Sequence, residues 1–253
     1  MATGIGGVDF YAPTMGCGAT CNCVARTWWD GEDGGVDWQR TMAKQYDRAR
    51  HAALHSGGAV MPLPARIQIC SLANEARLDA LLDAVLAAAR DRTVVGWDTE
   101  RTYARHKRLA LVQLATDSDV LLVCVPPGAR PSPDGALVRL FGDATIAKAG
   151  YALAGDTAAL NVDLGITTLR NVVDLAPHRR RTLPLCSVVA LTLGVDMTGD
   201  YRALASGTHP RFSAWGKPWL CPCQITYAAR DAYACRILYD VRSSIELACE
   251  AGE

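Results

Sequence analysis

The fold class this sequence predicts is α/β, a mixed β-sheet flanked by helices, and three observations carry it. Strand-like runs at 93–98, 109–115 and 120–125 follow one another as a meander of hairpin-linked strands. From residue 136 onward helical and strand-like patterns alternate, the order that builds parallel pairings. The chain then closes on a long helical pattern that begins at Pro222, a residue suited to the first helical position.

Taken in order, the first tight pattern is Ile67-Gln68-Ile69-Cys70, an alternating strand. A helix follows, with Leu78, Leu81, Leu82, Val85 and Leu86 recurring on one face. The three meander strands come next, the last closed by Pro126-Pro127-Gly128. A helix at 136–141, a short strand at 145–149 and a helix at 156–162 ending near Gly165 lead to a strand at 172–175. A helix at 185–193 stops at Gly194, and the terminal helix runs through Ile225, Ala229, Ala232 and Cys235 to Leu247. Residues 1–60 differ: Gly-rich pieces surround a polar segment at 38–55 with moderate helical character. The expected division is therefore an N-terminal extension, partly flexible, over 1–60 and one folded domain over 61–253.

With 253 residues the chain is long enough to bury a proper core. Half of the residues are apolar and 21% are charged, which excludes collagen-like and wholly disordered readings. The 26 basic residues balance 26 acidic ones, so a polybasic binder that works by wholesale counterion displacement is excluded and any nucleic-acid contact must use a local patch. Apolar runs such as 188–195 are far shorter than the roughly 20 residues that cross a bilayer. The N-terminus has no basic segment followed by an apolar one, so an intracellular protein without a membrane partner is expected. Ten cysteines are too few for a disulfide scaffold, and reduced thiols are the expectation.

The most informative segment is Val94-Val95-Gly96-Trp97-Asp98-Thr99-Glu100, in which a strand of buried character ends in two acids one residue apart. Alternation places both carboxylates on one side of the sheet. Two anions side by side lose hydration and repel each other, so they call for a compensating cation. All-oxygen donors select Mg²⁺ or Mn²⁺ over zinc. The plain alternative is a strand emerging into solvent. Asp156 follows a strand and opens a helix, where an Asp is also a common cap. Tyr227 and Asp231, four residues apart, share one face of an Ala-rich helix, an odd place for surface decoration.

In this order the motifs resemble the DEDD superfamily of 3′-5′ exonucleases, in particular its DEDDy branch with the ribonuclease H-like fold. Asp98 and Glu100 match the first motif, Asp156 the second, and Tyr227 with Asp231 the Y-x-x-x-D third. The flanking text is similar as well, in Leu111-Val112-Gln113-Leu114 and in Gln224-Ile225-Thr226-Tyr227-Ala228-Ala229-Arg230-Asp231. Within the branch the Werner-type exonuclease domain and its ribonuclease D relatives are most alike, over about 65–248. The resemblance implies that four carboxylates (Asp98, Glu100, Asp156, Asp231) hold two divalent ions about 3.5–4 Å apart, Mg²⁺ or Mn²⁺. It further implies that Asp98 bridges both ions, that Glu100 and Asp231 complete one site, and that Asp156 supports the other through water. Tyr227 would orient the attacking water at the 3′-terminal phosphodiester, releasing a nucleoside 5′-monophosphate. The expected substrate is DNA with a free 3′ end, with RNA as the close alternative. A catalytically silent nucleic-acid-binding or scaffold module of the same fold is the competing reading.

Two departures from the family stand out. Cys221 occupies the helix-entry position at which relatives carry Ser, a better cap, and Met197-Thr198-Gly199-Asp200 lacks a basic residue that relatives carry. Expected substrate contacts are Thr99 beside the first motif and the basic loop Arg101, Arg105, His106, Lys107 and Arg108, an ordinary solvated hairpin being the alternative for the loop. The run His178-Arg179-Arg180-Arg181 is a second basic candidate. Leu153 or Tyr151, and Trp215, are the candidates for contact with bases, core packing being the equal alternative for Trp215. Cys17, Cys21 and Cys23, with His51 and His55, and the pair Cys221 and Cys223 do not complete a zinc site at recognisable spacing, so free thiols are expected there. Protein partners or self-association are expected to use residues 1–60.

Overall fold

The computed structural model describes residues 60–92, 94–102, 107–176, 183–197, 210–217 and 219–250. Of the expected extension over 1–60, residues 1–59, with Cys17, Cys21, Cys23, His51 and His55, lie outside the described residues, as do Arg105 and His106 and the basic run at 178–181. The elements are β1 (Arg66–Ser71), α1 (Glu75–Arg92), β2 (Val94–Arg101), β3 (Leu109–Ala115), β4 (Asp119–Cys124) and α2 (Ala136–Gly142). There follow β5 (Ala147–Gly150), α3 (Ala154–Leu164), β6 (Val172–Asp174), α4 (Leu185–Leu193), a 3₁₀ turn (Pro210–Phe212) and α5 (Pro222–Glu250).

The strands form one six-stranded sheet in the order β1-β4-β3-β2-β5-β6. The meander is there: β2 pairs antiparallel with β3, and β3 with β4. The outer pairings β1 with β4, β2 with β5 and β5 with β6 are parallel, so the sheet is mixed, as expected. Helices cover both faces, which is why β3 is buried along its whole length and reads as a nearly continuous apolar run.

Alternation along β2 divides its residues between those two layers. Val95 and Trp97 point into the larger core, with Leu78, Leu82 and Val85 of α1, Leu140 and Phe141 of α2 and Leu160 of α3. Trp97 meets Phe141 edge-on at 5.1 Å between ring centroids, and its indole N–H donates to the Lys148 carbonyl at 3.2 Å. Gly96 faces the opposite layer, where Ala228, Ala229 and Ala232 of α5 lie on Leu111, Ala115 and Leu122. The Ala-rich face is what brings this helix close: a Cβ at position 96 would stand 2.2 Å from the Ala232 carbonyl oxygen. Helix α4 packs on the far side of α5 through Val188, Val189, Ala234 and Leu238.

The start of α5 repairs the departure seen in the sequence. Cys221 N–H donates to Gln224 Oε1 at 3.0 Å, and Gln224 N–H points back to Cys221 Sγ at 3.5 Å. This is a capping box in which sulfur stands in for the usual hydroxyl. Gln224 Nε2 also donates to Ser213 Oγ at 2.9 Å, tying the segment before the helix to its first turn. Cys223 is disulfide-bonded, which corrects the expectation of a free thiol there. Cys223 is half-buried, and the sulfur of Cys221 is held in the cap. Cys70, Cys124, Cys186, Cys221 and Cys235 are not in disulfides. Among the described residues no helix is long and apolar enough to cross a membrane.

Candidate active site

Close packing of α5 on β2 builds the site. Asp98 and Glu100 leave β2 on the face that Gly96 presents to the helix, and Asp231 precedes the residue whose carbonyl sits over that glycine. Ligand atoms of Asp98, Glu100 and Asp231 all lie within 4.8 Å of one another. A register shift between Glu100 and Arg101 ends regular pairing at this point, a common device for re-aiming side chains beside a site.

Asp156 comes from the other layer. It stands in the first turn of α3, whose N-cap is Leu153 rather than the acid itself. The Thr99 hydroxyl donates to Asp156 Oδ1, linking β2 to α3 directly. The turn before α3 is held by Asp174 at the end of β6, which accepts backbone N–H bonds from Ala152 at 2.8 Å and Leu153 at 3.0 Å. Ala152 adopts φ 59°, a left-handed conformation that Ala takes only when its surroundings enforce it. Gly150 is needed just ahead, since a Cβ there would meet Leu153 Cδ2 at 2.3 Å.

Electrostatics mark these acids as a set. Burial raises Asp98 well above the ordinary carboxylate range, and the charges of Asp156 and Asp231 raise it further. Burial and then Asp98 and Asp231 do the same to Glu100. Burial lifts Asp231 to about 7, against the opposing hydrogen bond from Tyr227, and Asp156 to about 6, against the bond from Thr99. Carboxylates gathered at such cost are candidates for function rather than stability. An all-oxygen donor set with surplus negative charge fits a hard divalent cation. Asp98, Glu100 and Asp231 could hold one directly, with Asp156 alongside.

The structure therefore brings Asp98, Glu100, Asp231, Tyr227, Asp156 and Thr99 together. Two of the expected substrate contacts, Trp215 and Leu153, are buried in packing. Trp215 is only 2% exposed and lies at 6.0 Å from the Tyr227 ring, with its indole N–H on the Arg211 carbonyl, so it is packing beneath Tyr227. Leu153 is 2% exposed as well and fills the notch beside Gly150. Tyr151 donates its hydroxyl to the Leu183 carbonyl at 2.5 Å. Arg101 lies near enough to stabilise the Asp156 charge, and its guanidinium donates to the Lys107 carbonyl at 3.1 Å. Lys107 is exposed and Arg108 half-buried beside it.

Sequence reasoning missed Arg211. From the 3₁₀ turn its charge favours the ionised forms of Asp98, Glu100 and Asp231 alike. No periodic pattern surrounds it, and only its place four residues before Trp215 could have flagged it. Asp174 was missed because it reads as part of a strand.

The fold resembles several solved structures. Brucella melitensis NrnC superposes with a TM-score of 0.52 at 20% identity, covering 70% of this chain and 80% of that one. The Aedes aegypti Nibbler EXO domain gives 0.51 at 19%, covering 70% and 87%. Escherichia coli RNase D gives 0.51 at 23%, covering 68% of this chain and 44% of that one. No curated protein matches the chain. A family model described as 3′-5′ exonuclease matches residues 74–241, well over half of the sequence and a span that includes Asp98, Glu100, Asp156, Tyr227 and Asp231. The chain belongs to the 3′-5′ exonuclease family, a family of metal-dependent enzymes with the ribonuclease H-like fold.

Proposed function

We propose that the protein is a DEDDy-type, two-metal 3′-5′ exonuclease that removes nucleoside 5′-monophosphates from the 3′ end of a nucleic-acid strand. The observation that carries the reading is the convergence of Asp98, Glu100 and Asp231 within 4.8 Å, with Tyr227 bonded to Asp231 and Asp156 bonded to Thr99 beside them. Asp98, Glu100, Asp156 and Asp231 are the ligands. Divalent ions there would offset the charge of the scissile phosphate and of the departing 3′ oxygen. Tyr227, wedged between Trp215 and Asp231, holds its hydroxyl in one direction and orients the attacking water. Water adds to phosphorus, the bond from phosphorus to the 3′ oxygen breaks, and the proton ends on that oxygen. Arg101, Lys107 and Arg108 flank the end of β2, where they are placed to contact strand phosphates. Residues 1–60 form a separate extension that serves partner binding or self-association, and residues 61–253 form the catalytic domain.

DNA is the substrate expected from the sequence, and the relatives favour RNA as a second reading. NrnC has been solved bound to pGG, and RNase D is described as an exoribonuclease involved in structured RNA processing. NrnC with bound Mg²⁺ favours Mg²⁺ as the ion. Matched 5′-labelled DNA and RNA strands, incubated with Mg²⁺, Mn²⁺ or EDTA, test both points. A ladder shortening from the 3′ end only with metal is expected, and its relative rate on the two strands ranks them. Binding of the strands without any shortening would instead identify a silent module.

A further inference from the structure

Gln113 lies on β3 directly opposite Asp98 in the β2–β3 register, so the two side chains leave the sheet on the same face. Opposed residues of an antiparallel pair have Cβ atoms about 4.5–5.5 Å apart. The face is the one under α5, since Leu111 and Ala115, two residues to either side, pack there with Ala228, Ala229 and Ala232. Gln113 is 0% exposed, and neither Oε1 nor Nε2 has a hydrogen-bond partner among the described residues. A carboxamide buried with both ends unsatisfied destabilises the fold. Its cross-strand neighbour on the other side is Leu122, and an apolar residue at 113 would continue the Leu111, Ala115 and Leu122 surface without that cost. Packing therefore gives no reason for an amide here. The residue of the site that the register sets opposite it on that face is Asp98.

We propose that Gln113 is a positioning residue for Asp98, its amide N–H fixing the carboxylate through one buried water in the orientation that accepts divalent metal. The inference rests on the metal-site reading above. A carboxylate that must serve ions on one side needs its remaining lone pairs occupied on the other, and partners of this second layer typically contribute roughly 10–100-fold to metal affinity. The destabilising amide is then the local cost of a prepared site.

The test separates the two roles by their opposite signs. Mn²⁺ affinity is measured by electron paramagnetic resonance of the free ion, and Tm in EDTA is measured alongside, for the full chain and its Gln113→Leu and Gln113→Met variants. Neither reading depends on hydrolysis. Expected is an EDTA Tm equal to or above that of the parent, with Mn²⁺ bound roughly 10–100-fold more weakly. Affinity within about twofold of the parent overturns the inference, as does a Tm that falls in both variants, which would make Gln113 a packing element. If Leu alone disturbs the fold, Met, which keeps the length and flexibility of Gln, decides the matter. Absence of Mn²⁺ uptake by the parent protein would instead refute the metal-site reading, an outcome distinct from failure of the inference.

Discussion

Replacing Gly96 with Ala adds one methyl group at the contact that sets the spacing between the two halves of the site. The new Cβ would stand 2.2 Å from Ala232 O, 2.5 Å from Arg236 N and 2.8 Å from Arg236 Cβ, whereas ordinary contact begins at 3.4 Å. The closest atoms are backbone, so no side-chain rotation relieves the overlap. Helix and strand must part by roughly 1 Å, and Asp231, adjacent to Ala232, moves with the helix away from Asp98 and Glu100. Overpacking of this kind costs about 1–3 kcal/mol, a fall in Tm of about 2–4 °C per kcal/mol for a domain of this size. A displacement of about 1 Å at reacting groups costs on the order of 10²-fold in rate. Thermal unfolding in EDTA and hydrolysis of a labelled strand at saturating Mg²⁺ measure the two effects. Gly155→Ala is the control, because nothing lies within 4 Å of a Cβ there, and an Ala inside α3 should be neutral or mildly stabilising. Gly96→Ala with its Tm unchanged and its rate within about threefold of the parent would refute the idea that this contact sets the site.

Because burial raises Asp98, Glu100, Asp156 and Asp231 above their unfolded values, the folded protein binds more protons than the unfolded chain across roughly pH 4–7. Stability in EDTA should therefore fall as pH rises through that window, and added Mg²⁺ should restore it most at pH 8; a Tm that rises with pH in EDTA would contradict this sign. Asp231→Asn removes one of the crowded charges, so it should raise the Tm in EDTA at pH 8 while lowering the hydrolysis rate roughly 10²–10³-fold, checked by unfolding and labelled-strand assays on one preparation. Trp215→Ala should cost about 3–5 kcal/mol in a chemical denaturation curve, as expected for a core aromatic, and unchanged stability with a raised KM would return Trp215 to the substrate surface.

Much of this was legible in the sequence, because the patterns that report local structure were strong. The nearly continuous apolar runs of the meander reflect burial on both faces of the sheet, and the helical spacing of Leu78, Leu82 and Val85 reflects burial on one face of α1. The acids were legible because a pair such as Asp98 and Glu100 is costly on a buried strand without a reason. What escaped depended on contacts between segments far apart in sequence. The direction in which Trp215 points is set by Tyr227 and Arg211, and no local pattern records it. Arg211 itself sits in a turn without periodicity. Asp156 was legible as the second motif with a helix cap as the alternative, but its bond from Thr99, 57 residues away, is recorded by no local pattern. Cys221 looked like a weak helix start until Gln224 closed the box around its sulfur. Gln113 sat in plain view beside apolar residues, and its oddity emerges only once β3 is registered against Asp98.

The most direct test of the central claim compares the parent protein with Asp98→Asn on a 5′-labelled single strand at one Mg²⁺ concentration, each also in EDTA. The account predicts stepwise shortening from the 3′ end by the parent in Mg²⁺ alone, and none by the variant, whose Tm in EDTA equals or exceeds that of the parent. Shortening that survives in the folded variant, or in EDTA, would contradict it.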